Sequence, residues 1–122
     1  MPIDPTGPQI KALVTSDLTG PIVMLNLLRF KPDGGRASYD AYMETTAPFL
    51  RQVGGSVIFR GDARNVVIGE DGEWDSVLVV RYPSKEAFLE MLRIPEYHEG
   101  TALRTNALLD ARLIACEEAG HR

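Results

Sequence analysis

The sequence predicts an α+β fold of βαββαβ order, with an antiparallel sheet and an additional N-terminal helix. Stretches rich in Val, Ile, Leu and Phe alternate with helical patterns in that order, the first three bounded by Gly or Pro. The segment Leu27-Leu28-Arg29-Phe30-Lys31-Pro32 is echoed by Val79-Val80-Arg81-Tyr82-Pro83-Ser84, and each runs into a helix. The chain has 122 residues, enough for one domain with a core of its own.

Gly7-Pro8 opens the first helix, with Pro8 at its first position, and Ile10, Leu13, Val14 and Leu18 share one face before Gly20-Pro21 ends it. Ile22 to Phe30 reads as a strand. After the Asp33-Gly34-Gly35 loop, Ser38 is expected to cap a helix whose face carries Tyr39, Tyr42, Met43, Thr46, Leu50 and Val53. Pro48 should kink or weaken it, and Gly54-Gly55 stops it. Ser56 to Arg60 is the second strand, Val66 to Gly69 a short extended piece, and Trp74 to Tyr82 the third long strand. Ser84 caps a helix with Ala87, Phe88, Met91 and Leu92. Pro95 interrupts, and a helical stretch runs from about Glu96 to Leu109 before the last strand, Ala111 to Cys116. The whole is a single domain. Residues 1–20 are an N-terminal helical extension, 21–117 the core and 118–122 a polar tail. The order after the first helix is the split βαβ, ferredoxin-like arrangement, and the echoed segment falls where its two β-α-β halves require it.

Composition excludes several classes. Charged residues are 25% and hydrophobic residues 44%, as in an average globular domain. Cys116 is the single cysteine, so neither a disulfide scaffold nor a paired-cysteine zinc site is possible. With only His98 and His121 as imidazoles, no metal is expected, and no phosphate loop or nucleophile elbow calls for a cofactor. The net charge of −4 and scattered basic residues argue against nucleic acid. Apolar runs such as Ile22 to Leu25 fall far below the ~20 residues of a membrane span. The start Met1-Pro2-Ile3-Asp4-Pro5 lacks the basic and apolar regions of a signal peptide, so a soluble cytoplasmic protein is expected.

The strands point to a partner. Val23, Leu25 and Leu27 alternate with Ile22, Met24, Leu28 and Phe30, and Val77 and Val79 with Leu78 and Val80. Both faces are apolar, whereas right-handed crossovers put both helices on one. The N-terminal helix can cover part of the other. A second subunit, giving a homodimer through sheet faces, covers the rest.

Candidate ligand-binding residues are Asn26, Arg29, Trp74, Arg81 and Arg104, and the candidate catalytic residue is His98. Arg29 and Arg81 each precede a strand-ending aromatic. With the first and third strands taken as parallel neighbours, both should emerge together beside a cavity under the helices and clasp a carboxylate or phosphate. The alternative is pairing with Asp75, Asp110 or Glu44. Asn26, an amide in an apolar strand, either organises the core or faces a ligand. His98 is a general base only where its surroundings tune it, and otherwise a helix-surface residue. Trp74 is a pocket wall or a core anchor, Arg104 joins a basic cluster or faces solvent, and Cys116 is a small apolar filler.

Met24-Leu25-Asn26-Leu27-Leu28-Arg29-Phe30, the Tyr39/Tyr42 helix, Gly54-Gly55, Trp74-Asp75, Arg81-Tyr82-Pro83-Ser84, Ala87-Phe88, Pro95-Glu96-Tyr97 and Asp110-Ala111-Arg112-Leu113 together resemble the domain of unknown function 1330 family, over roughly residues 20 to 116. That family is similar to the dimeric α+β barrel superfamily, which includes cofactor-free monooxygenases and muconolactone isomerase-like enzymes. The resemblance implies a dimer with sheets packed face to face, and implies no activity. The N-terminal helix, residues 8 to 19, departs from the shortest members. Two functions are therefore expected as alternatives. One is a cofactor-free enzyme of monooxygenase-like or isomerase-like type, binding a small organic acid in a cleft between sheet and helices, with His98 moving a proton. The other is a non-catalytic small-ligand binding or stress-related domain.

Overall fold

A computed structural model of the chain describes residues 2–120; Met1, His121 and Arg122 lie outside the described residues, and with them the end of the polar tail. The elements run α1 (Gly7–Thr15), β1 (Ile22–Phe30), α2 (Gly35–Gln52), β2 (Ser56–Asp62), β3 (Ser76–Tyr82), α3 (Lys85–Leu92), a 3₁₀ turn (Pro95–Gly100), α4 (Thr101–Ala107) and β4 (Leu108–Cys116). The four strands form one antiparallel sheet in the order β2-β3-β1-β4, the expected ferredoxin-like α+β arrangement.

One expectation fails here. β1 and β3 are neighbours but antiparallel, with Val23 opposite Arg81 and Leu28 opposite Ser76. The α2 crossover brings β2 back in the direction of β1, and the β2–β3 hairpin then reverses the chain. Equivalent positions in the two halves therefore fall at opposite ends of the sheet.

Local chemistry explains the element boundaries. Thr6 and Gln9 form a reciprocal capping box on α1, and the Ser84 hydroxyl accepts from Ala87 N at the start of α3. Ser38 does not cap α2. That helix starts earlier, after Gly34 in the left-handed region at φ +78°, and the Ser38 hydroxyl instead donates to the Leu103 carbonyl across the α2–α4 contact at 2.6 Å. Pro48 lies inside α2 without ending it. Val66 to Ile68 forms no strand. Val67 and Ile68 are 90% and 94% exposed, because β-branched residues favour extended structure only where a neighbouring strand packs them.

Strand alternation sorts the core. Ile22, Met24, Leu28, Phe30, Leu78, Val80 and Tyr82 are buried under α2, α3 and α4, each large side chain contributing about 1.5–3 kcal/mol through burial. The other face carries Val23, Leu25, Leu27, Val77 and Val79, half-buried, with Phe59 and Ile114 exposed. α1 does not cover this face. It packs against α3, where the Lys85 ammonium donates to the carbonyls of Val14 and Ser16. No helix among the described residues is long and apolar enough to cross a membrane.

Candidate functional site

A cavity of about 340 Å³ lies between the sheet and the helices that cross it. Met24, Leu78 and Val80 form its floor, α2 contributes Met43, Thr46 and Leu50, and α3 contributes Phe88, Met91 and Leu92. The 3₁₀ turn adds Tyr97 and His98, α4 adds Arg104, and the N-terminal segment adds Asp4 and Pro5 at the rim.

Of the residues singled out from the sequence, Asn26, His98 and Arg104 line this cavity. The Asn26 amide Nδ2 donates to the Leu78 carbonyl at 3.1 Å, so its presence in an apolar strand has a structural reason as well as a place at the site. The His98 Nε2 hydrogen bonds to the Leu92 carbonyl. A carbonyl can only accept, so Nε2 carries a proton and donates it there. Arg104, with 20% of its side chain exposed, holds Asp4 at 3.1 Å.

Arg29, Arg81 and Trp74 lie outside the cavity. Arg81 stands opposite Val23, and Arg29 is six positions further along β1, which separates them by roughly 20 Å. They share the open sheet face but not one end of it, so no single anion can bridge them. Arg81 lies 4.0 Å from Glu118. Arg29 lines a broad, shallow depression beside the start of α2. Of the carboxylates suggested as partners, Asp75 accepts from Phe30 N at 2.8 Å and Asp110 pairs with Arg112 at 2.7 Å, while Glu44 forms no ion pair among the described residues. Burial works to raise the Asp110 carboxyl, but the hydrogen bonds from Arg112 and Ala111 N outweigh it and hold it below the ordinary carboxylate value. The Arg112 guanidinium also lies over the Trp74 ring, 5.2 Å from its centroid, so Trp74 belongs to a surface stack. Cys116 ends β4, partly buried, as a free thiol.

Sequence reasoning missed the aromatic centre of the site. All four tyrosines of the chain, Tyr39, Tyr42, Tyr82 and Tyr97, line the cavity. Their spacing in sequence carries no signal, since they come from α2, β3 and the 3₁₀ turn. The hydroxyls of Tyr42 and Tyr97 are 2.6 Å apart. Burial pushes Tyr39 up to about 12, with nearby Arg104 working the other way. Burial also raises Tyr42 and Tyr82, and for Tyr42 the contact with Tyr97 adds to it. The phenols are held in the neutral, proton-bearing form.

Fold and cavity together define a small ferredoxin-like α+β domain with an apolar, tyrosine-lined chamber under its helices. Residues 34–118 match the family described as Domain of unknown function (DUF1330), and the chain belongs to that family. It is similar to a protein of unknown function from Rhodopseudomonas palustris, 38% identical, with 95% of each chain covered and a TM-score of 0.87. It also shares its fold with a dimeric ferredoxin-like protein of unknown function from Jannaschia sp. CCS1, at 10% identity and a TM-score of 0.62, covering 81% of this chain and 100% of that one. A provisionally assigned antibiotic biosynthesis monooxygenase from Caulobacter crescentus CB15 matches at 12% identity and a TM-score of 0.60, over 82% of this chain and 91% of that one. No curated protein matches the sequence significantly.

Proposed function

We propose that the cavity binds a small organic acid with an apolar body, and that the protein does so as a homodimer joined through its open sheet faces. The observation behind the ligand reading is the combination of apolar walls with one cation, Arg104, at the rim. A hydrocarbon body matches Met24, Leu78, Val80, Phe88 and Met91, and a carboxylate matches the guanidinium fork. Calorimetry with a panel of small aromatic and branched acids and their uncharged amides tests this. Acids should bind at least about tenfold tighter than the amides, and Arg104→Met should remove the difference. Equal binding of acids and amides would reject it.

The dimer reading is supported by the exposed apolar row on the face away from the helices, where Phe59 is 56% and Ile114 48% exposed. It also agrees with the dimeric description of the Jannaschia neighbour.

Cofactor-free catalysis of isomerase-like or monooxygenase-like type rests on His98, which lines the cavity and is oriented through Nε2 by the Leu92 carbonyl. The other reading, a non-catalytic binding or stress-related domain, is favoured by the exposure of His98 at the rim. A bound acid recovered unchanged after long incubation, with and without oxygen, would decide for binding. Turnover abolished by His98→Gln would decide for catalysis.

A further inference from the structure

Two phenols in the cavity have no partner. Tyr39 and Tyr82 are only 2% and 5% exposed, yet neither hydroxyl bonds to any described residue. Among the described residues no sealed side-chain polar atom lacks a hydrogen bond. The two hydroxyls are therefore open to solvent, and the space both rings line is the cavity. Open to solvent, each hydroxyl can be hydrated in the empty cavity, and a ligand that displaces that water has to supply the hydrogen-bond partner itself.

The neighbouring groups narrow what that is. Tyr42 and Tyr97 share one hydrogen between their oxygens and keep a second to offer. The cluster thus has hydroxyl protons in surplus. A ligand hydroxyl would add another donor to it. A second carboxylate would have to be stripped of water with no further cation to meet it, since Arg104 is the cation among the residues lining the cavity. A ketone oxygen brings two lone pairs, no proton and no charge.

We propose that the hydroxyls of Tyr39 and Tyr82, each at its own place on the cavity wall, are donors for a ketone oxygen carried on the ligand's apolar body, so that the cavity selects oxo acids over plain carboxylic acids. This rests on the organic-acid reading above, and three probes of one skeleton separate the two. Benzoylpropanoate carries both the ketone and the carboxylate, phenylbutanoate the carboxylate alone, and butyrophenone the ketone alone.

By calorimetry on the full chain, benzoylpropanoate should bind about tenfold tighter than phenylbutanoate, the effect of roughly one well-made hydrogen bond. In the Tyr39→Phe/Tyr82→Phe variant, which keeps both rings, that advantage should fall to less than about twofold with phenylbutanoate binding unchanged. Equal binding of the two acids to the unaltered protein overturns the ketone reading and leaves the acid reading standing; this comparison needs no variant to fold. An advantage that survives in the double variant overturns it as well. If butyrophenone binds as tightly as benzoylpropanoate and phenylbutanoate does not bind, the acid reading fails and the ketone reading stands. If no probe binds, both fail.

Discussion

Arg104 Nη1 stands 3.1 Å from Asp4 Oδ1, so the cation of the cavity is already held by a carboxylate from the far end of the chain. Asp4 is the more exposed partner, with 69% of its side chain in solvent. It occupies the position that an acidic ligand would take. Asp4→Asn should therefore raise the affinity for small acids, by up to about fivefold, since an exposed pair of this kind is worth ~0–1 kcal/mol. Calorimetry at low and high salt checks it, and the gain should shrink as salt screens the pair. Unfolding should be almost unchanged.

Leu25 and Leu78 separate assembly from folding. Leu25 lies on the open face, whereas Leu78 is 3% exposed beneath the helices. Leu25→Glu should yield a folded monomer by sedimentation, with a native circular dichroism spectrum. Leu78→Glu should unfold the chain, because a buried carboxylate in that place has no partner. A protein that sediments as a monomer before any substitution would reject the dimer.

The buried tyrosines set an alkaline limit. An ordinary phenol ionises near 10, and Tyr39 in the fold near 12. Below 10 both folded and unfolded chains hold the proton, and the stability is intact. Between 10 and 12 the unfolded chain loses the proton while the folded one keeps it, so stability falls, by about 3 kcal/mol from Tyr39 alone. Tyr42 and Tyr82 act in the same direction. The phenolate absorbance of these three should rise together with alkaline unfolding rather than ahead of it. A normal titration of Tyr39, Tyr42 and Tyr82 in the folded protein would contradict the burial.

Gly35 and Ala107 touch backbone to backbone. A Cβ at Gly35 would lie 2.6 Å from the Ala107 carbonyl oxygen, which also accepts from Lys31 N at 2.8 Å. Neither partner is a flexible side chain. Gly35→Ala should cost about 1–3 kcal/mol, read as a lower denaturant midpoint at unchanged slope.

Much of this architecture is legible in the residues. The two-faced strands, the Ser84 cap and the split βαβ order all follow from period-2 patterning and turn chemistry, which act locally. The repeat around Arg29 and Arg81 is legible too, but similarity of sequence carries no direction, and only a count of chain reversals places the two arginines at opposite ends. Among site residues, Asn26, His98 and Arg104 stand out as polar groups in telling positions. The tyrosine cluster does not. Tyr39 and Tyr42 read as one helix face, and Tyr82 as a strand terminus, and only packing brings them to one cavity with Tyr97. Val66 to Ile68 misleads for the same reason in reverse, since its propensity for extended structure finds no neighbour.

The first crossover is a single 18-residue helix, α2, whereas the second is broken into α3, the 3₁₀ turn and α4, of 8, 6 and 7 residues. The consequence is kinetic. Hydrogen bonds in a 3₁₀ turn are poorly aligned, and short segments open at lower free energy than a long helix. Amide protons across Pro95–Gly100 should exchange with solvent faster than those in the middle of α2. Tyr97 and His98 line the chamber from this stretch, so the exchange rate there reads how readily that part of the chamber wall gives way while the rest of the fold stays closed.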